Sequence, residues 1–357
     1  MTDSSSDKYS RSRYESSFSR RERPDHLSHW DRYDEEDELV DEETQSRKII
    51  KTVLKVTGCV LLALAIGIAI YAAVLFFKVS DDISLSDKIK RELAEVLVEP
   101  DDVNAPFYML IIGSDSRDPS SAQAGLSDTI MLARIDPEAP HLTILSIPRD
   151  IEIRLEGYGA QKINAAYSYG GPAGAVKAVS ELCDVPISYY VEIDFTGLIS
   201  LVDTLGGIDV DVPSDIFLDG VYIAAGPQRL NGSQALIMTR SRDFPTGDLI
   251  RVENQRIVLK AIVKQVLDAS VVEMPGLVTS LATNVGTTME VARAIELVLK
   301  FRGMDVDQMY MATVPVAFNS HDGIAYLRVV EPEFSEMMAR IKQGLPPIDP
   351  AMVAAEY

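Results

Sequence analysis

The sequence is poor in the residues that build many catalytic and metal centres. It holds two cysteines, four histidines and one tryptophan in 357 residues. Cys59 lies inside a long apolar run and Cys183 lies far from it, so no intramolecular disulfide is expected. Zinc-site Cys/His spacing is missing, and the scattered histidines give no sign of a His-based triad. Internal repeats and a dinucleotide-binding glycine fingerprint are missing too. Positive charge is the minority sign: 34 Lys and Arg against 54 Asp and Glu give a net charge of -20. With no helix-turn-helix signal, that balance argues against nucleic acid as a partner.

Apolar residues are scarce over 1–46, which is rich in Ser, Arg, Asp and Glu and contains the acidic run "DEEDELVDEE" (34–43). Such a segment cannot bury enough apolar surface to offset its ordering entropy, so it reads as a disordered, solubilising tail. The opposite extreme follows at once. "GCVLLALAIGIAIYAAVLFF" (58–77) is twenty residues without a charge or a polar stripe, long enough to cross a bilayer as a helix. It starts too deep in the chain, without a small-residue cleavage site, for a removable signal peptide. The flanking cations balance: Arg47, Lys48, Lys51 and Lys55 before the run, Lys78, Lys88, Lys90 and Arg91 after it. A short head and a long globular remainder point to a signal anchor with the head in the cytoplasm.

Residues 84–100 have helical spacing and end at Pro100, as a connecting helix would. Beyond Pro106 the pattern turns to short strands at 107–112, 129–135, 141–147, 189–193 and 208–212, with "DPEAP" (136–140) as a hairpin turn. Helices are expected at 171–182, 195–204, 232–238 and 250–268. The last carries two apolar rows, Val258/Ile262/Val266 and Leu259/Val263/Leu267. Helix-like and strand-like runs continue over 270–345 with no linker. Together these elements predict an α/β fold, a layered domain with a central sheet and helices on its faces.

Four arginines fall within the seventeen residues 240–256 of this acidic chain. Arg240 and Arg242 share a side if the backbone there is extended, and Arg251 and Gln255 stack one turn apart in a helix. In the 129–147 hairpin, pairing Ile135 with His141 sets Asp128 opposite Pro148, beside Arg149. The loop after the first strand returns Asp115 and Arg117 to the same sheet end. Carboxylates without His or Cys suit a hard cation such as Mg²⁺, and arginines match phosphate oxygens with a planar fork. The alternative is that these are plain ion pairs at strand ends.

The motifs "IIGSDSRD", "LSDTIMLARIDP", "LSIPRDI", "KINAAYSYGG", "VEIDFTGLISLVDTLGGIDVDVP", "LNGSQALIMTRSR" and "GDLIRVENQR" occur in an order and spacing that resemble the LytR–CpsA–Psr family over roughly 106–270. The resemblance implies an α-β-α domain with a central mixed sheet. It also implies a membrane-anchored phosphotransferase that moves a glycopolymer from an undecaprenyl-pyrophosphate carrier to a peptidoglycan hydroxyl, in a bacterial, Gram-positive-type envelope. It assigns Asp115 and Asp128 to Mg²⁺ (or Mn²⁺) and catalysis, and Arg149, Arg240 and Arg242 to catalysis as well. Arg117, Arg149, Lys162, Asn164, Arg240, Arg242, Arg251 and Gln255 would hold the pyrophosphate. Asp194 ranks lower. The implied layout is a cytoplasmic tail (1–46), a basic flank and anchor (47–78), a connecting segment (79–105), an extracytoplasmic domain (106–345) and a C-terminal tail (346–357).

One run departs from the family pattern D-F-G-R-x-x-R-Q: here Ile250 replaces the glycine and Asn254 the second arginine. Arg256 is the nearest replacement, but on a helix it points about 100° away from Gln255. Two other functions compete, a polyprenyl-pyrophosphate hydrolase and a non-catalytic phosphate- or polymer-binding envelope regulator. A polyprenyl tail needs an apolar groove, with residues 171–183 and 197–206 as candidate walls.

Overall fold

The apolar runs at 107–112 and 129–135 are continuous rather than alternating, the pattern of strands covered on both faces. Both become central strands of the computed structural model. It describes residues 85–114, 127–241, 247–270, 277 and 285–348, apart from the side chains of 247–249. The predicted tail and anchor lie outside these residues. Among those described, no helix is long and apolar enough to cross a membrane.

A short helix, Asp87–Ala94 (α1), is capped by the Ser86 hydroxyl. It stops well before Pro100 because Val98 turns to donate its N–H to the Ile187 carbonyl. The strands Phe107–Ser114 (β1), Ser127–Asp136 (β2) and His141–Ser146 (β3) follow as an antiparallel meander. Glu152–Leu155 (β4) and Gly159–Lys162 (β5) form a separate hairpin. Ala165–Cys183 (α2) starts six residues earlier than the sequence predicts. It is broken inside at Gly171 (φ 60°) because Pro172 has no N–H to give the first part. Tyr189–Ile193 (β6) then pairs parallel with β1.

Phe195–Thr204 (α3) and Ile208–Val212 (β7) have the predicted bounds. Ile216–Leu218 (β8) and Val221–Ile223 (β9) make a tight hairpin, and Gly226–Leu230 (β10) pairs with β7. The helices Gly232–Arg240 (α4) and Gly247–Asp268 (α5) follow. The chain then returns to the sheet with Val285–Thr287 (β11), packs Val291–Phe301 (α6), and adds Tyr310–Thr313 (β12) parallel to β3. A hairpin of Val316–His321 (β13) and Ile324–Val329 (β14) and the helix Glu333–Lys342 (α7) complete it. Among the described residues the main sheet is mixed, in the order β11-β6-β1-β2-β3-β12.

Alternation along the strands divides the interior in two. Leu110, Ile112, Leu132 and Leu145 face α2 and α7. Ile111, Met131, Ala133 and Ile144 face α5 and α6. Helix α5 serves two cores at once. Its Leu259, Val263 and Leu267 pack towards the sheet and α6, while Val258, Ile262 and Val266 pack on α3, α4 and β7. The two apolar rows in the sequence are these two faces.

Helices α3 and α4 touch backbone to backbone at Gly232, where a Cβ would stand 2.3 Å from the Ile199 carbonyl oxygen. Gly232→Ala is expected to cost about 3 kcal/mol by overpacking, read as a lower melting temperature of the full chain in detergent.

A second expectation concerns the β13–β14 hairpin. His321 Nε2 lies 2.9 Å from Glu152 Oε1. That hydrogen bond, with a weaker one to Asp322, raises the His321 pKa above its ordinary 6.5. Because the folded value is the higher one, the stabilisation is complete below pH 6.5 and is lost as pH rises through the raised value. Glu152→Gln should move the His321 ring titration, followed by NMR, back towards 6.5; an unmoved midpoint refutes the pairing.

Candidate functional site

The β2–β3 register is one residue from the sequence expectation: Ile135 pairs with Leu142 and Asp136 with His141. The Asp136 carboxylate accepts the N–H groups of Glu138 and Ala139, which holds the turn to residues 137–140. The shift has a chemical consequence. Ile147 N–H reaches the Ile130 carbonyl, and continuing that register sets Asp128 across from Arg149 instead of Pro148. Arg149 Nη1 donates to Asp128 Oδ1 in a short ion pair. Arg149 Nε also lies 3.9 Å from Asp150, whose other oxygen takes Lys162 Nζ at 2.8 Å. Asn164 donates its backbone N–H to the Arg149 carbonyl. One charged chain thus runs Asp128–Arg149–Asp150–Lys162.

Asp128 opens onto a cavity of about 600 Å³ between the sheet and helices α3, α4 and α5. Arg240, Arg251, Gln255 and Asp194 line the same cavity. Of the ten expected site residues, these walls therefore gather Asp128, Arg240, Arg251 and Gln255. Arg149, Lys162 and Asn164 join through the chain above. Asp115, Arg117 and Arg242 lie outside the described residues.

Each wall element is polar at one end and apolar deeper in. On α5 the lining runs Arg251, Gln255, Val258, Ile262, one helical stripe about 16 Å long. Asp128 and Thr129 give way to Met131 on β2, and Gly113 and Ser114 to Ile111 on β1. Asp194 and Phe195 give way to Leu198 and Leu201 on α3. The cavity therefore has a charged end and a greasy end. Residues 197–206 supply part of the greasy wall, as expected. Residues 171–183 do not, because α2 packs on the opposite face of the sheet.

Arg240 is the last residue of α4, not part of an extended segment, so its side chain is placed by other contacts. Its guanidinium lies 5.3 Å over the Phe195 ring and donates to Asp219 at 2.8 Å. Sequence reasoning missed Phe195 and Asp219. The signal was present for the second: Asp219–Gly220 between alternating apolar residues marks a two-residue hairpin. Asp194 caps α3, accepting the Gly197 N–H at 2.6 Å.

Arg251 is 2% exposed, and as a guanidinium it keeps its charge at any working pH. Gln255 Nε2 reaches the Thr239 carbonyl. Asn254 is buried and its Nδ2 has no hydrogen-bond partner among the described residues. Arg256 does not replace the missing arginine: it donates to Glu253 and to the Met311 carbonyl, away from the cavity. Cys183 is buried and its thiol is pushed up to about 12, so it is no nucleophile at neutral pH.

The donor set suits a hard cation. Beside Asp128, Ser114 and Ser127 are paired across β1 and β2, and both hydroxyls are buried without hydrogen-bond partners among the described residues. Among those residues no group of three or more His, Cys, Asp or Glu could hold a metal alone. An oxygen-preferring ion would fit here if substrate phosphate and water filled most of its shell.

Comparison with known proteins matches the chain to the LytR_cpsA_psr family over residues 73–343. It is 32% identical over 243 residues to the polyisoprenyl-teichoic acid–peptidoglycan teichoic acid transferase TagU of Enterococcus faecalis, covering 67% of this chain and 80% of that protein. The TagU transferase of Bacillus subtilis is 29% identical, with 84% of this chain and 98% of that one covered. Crystal structures agree: B. subtilis TagV superposes with a TM-score of 0.62 at 28% identity, covering 68% of this chain and 98% of TagV. TagT bound to LIIa-WTA gives 0.59 at 25% identity, covering 70% and 94%. With most of its length matched by the family and its fold shared with these structures, the chain belongs to the LytR_cpsA_psr family.

Proposed function

We propose that this protein is a membrane-anchored phosphotransferase that moves a glycopolymer from a polyisoprenyl-pyrophosphate carrier to a peptidoglycan hydroxyl. The observation that carries this reading is the polarity of one cavity, charged at one end by Asp128, Arg240 and Arg251 and apolar at the other. A lipid diphosphate has the same division. The relatives' transferase names support the choice of polymer donor and wall acceptor.

In this mechanism Arg240, Arg251 and Arg149 hold the diphosphate oxygens, and the greasy end takes the first part of the lipid. The acceptor hydroxyl attacks the sugar-linked phosphorus. A new phosphodiester bond forms, the bridging P–O bond breaks, and lipid phosphate leaves. Asp128 orients the hydroxyl and takes its proton, while the arginines stabilise charge growing on the leaving oxygens. Asp128, together with Asp115 as the family resemblance implies, would hold Mg²⁺, which when bound neutralises phosphate charge. Residues 58–77 anchor the chain and keep the site near its lipid, which raises the effective concentration.

The test supplies the purified full chain in detergent with lipid-linked polymer, Mg²⁺ and peptidoglycan. Polymer joined to peptidoglycan with equal release of lipid phosphate supports the proposal. Free polymer with lipid phosphate would reveal a hydrolase, and binding without release a regulator.

A further inference from the structure

A second groove, of about 650 Å³, lies between the β4–β5 hairpin and the outer face of α2. It is on the α2 side of the sheet, away from the cavity described above. Tyr158 from the hairpin turn and Tyr169 from the first part of α2 stack in it, centroids 4.1 Å apart and planes 18° apart. The two rings are 54% and 51% exposed, an unusual cost for large side chains that nothing among the described residues covers. Arg154, Glu156, Lys177 and Glu181 stand around them. Lys177 and Glu156 form only a loose ion pair at 3.9 Å, and both are exposed, so each keeps most of its capacity for other partners.

We propose that this groove binds an uncharged glycan strand. The C–H faces of pyranose rings carry weak positive charge, which complements the negative face of an exposed tyrosine. Charged side chains at the rim match sugar hydroxyls as donors and acceptors. A lipid tail fits poorly, since it would strip water from four charged groups. A polyanion gains little as well, because Glu156 and Glu181 balance Arg154 and Lys177, and Glu152 is already held by Asn319 and His321.

The groove is tied to the first site. Lys162 pairs with Glu152 at the base of the hairpin and holds Asp150, so the hairpin continues the charged chain from Asp128. A strand seated here would be the acceptor; that use rests on the proposed transferase function, whereas binding itself does not.

The test titrates the full chain in detergent with a β-1,4-linked N-acetylglucosamine tetramer by calorimetry, and in parallel with a glycerol phosphate polymer. Tyr158→Ala should bind the tetramer roughly fivefold to tenfold more weakly, and Tyr158→Phe should bind it like the unaltered chain. Tyr169→Ala provides a second truncation, with a thermal melt confirming that each variant is folded. No tetramer binding, or binding that Tyr158→Ala and Tyr169→Ala leave unchanged, overturns the proposal. So does a polymer whose binding depends on Tyr158 while the tetramer's does not. Asp128→Asn should slow transfer by about 10³-fold and leave tetramer binding intact. Tetramer bound at Tyr158 by a chain that transfers nothing would refute the transferase function and keep the groove.

Discussion

Asp128→Asn is expected to slow lipid phosphate release by about 10³-fold, with a melting temperature near that of the unaltered chain. The size follows from two roles meeting on one carboxylate. It lines the cavity, and one of its oxygens pairs with Arg149. Asparagine preserves the shape and one acceptor oxygen but cannot take a proton and loses the charge a cation needs. The structural cost is modest because the asparagine amide oxygen keeps an acceptor for the Arg149 guanidinium. The measurement is single-turnover release of lipid phosphate at saturating donor. A variant that still binds metal and works at the original rate would show that Asp128 is not the proton acceptor.

Arg251 carries the second large effect. It is among the largest fully buried side chains, one helical turn before Gln255 on the stripe that becomes apolar at Val258. Its position is near the point where the polar lining of the cavity gives way to the apolar one. Arg251→Lys keeps the charge but loses the two-pronged fork, so kcat/KM should fall roughly tenfold to a hundredfold. Arg251→Met fills the space without charge and should fall by about 10³-fold. If the guanidinium acts on the transition state, kcat falls with kcat/KM; if it only holds the ground state, KM alone rises. Unchanged kinetics in both variants would remove Arg251 from the site.

The two departures from the family pattern now have different meanings. Arg256 is committed to Glu253 and the Met311 carbonyl, so no second helix arginine reaches the cavity from this position. Asn254 is buried with its amide nitrogen unpartnered among the described residues, an arrangement that calls for a polar group from elsewhere. The cavity of this chain thus relies on Arg240 and Arg251 among the described arginines that line it. Phe195 and Asp219 hold the first of these in place.

Much of the fold was legible in residue order because its signals are local. The continuous apolar runs of β1 and β2 marked buried strands, and the two rows on α5 marked a helix between two cores. The polar and aromatic hairpins were not legible. β4 and β5 are four residues each with none fully buried, so no apolar alternation announces them. The arginine-rich run pointed to an anion, but it did not say which arginines would reach one.

The amino-acid order by itself determined the central strands, the helices and the apolar run at 58–77, and it pointed to an anionic ligand. Those properties depend on spacing within a few residues, or on composition. Only the tertiary structure decided that β2 and β3 pair so as to set Asp128 against Arg149. It alone committed Arg256 to the Met311 carbonyl and stacked Tyr158 on Tyr169. Arg149 reaches Asp128, and Arg240 reaches Asp219, across 21 positions of chain. Long flexible side chains take their direction from such distant partners, and a one-residue change of register reassigns them all.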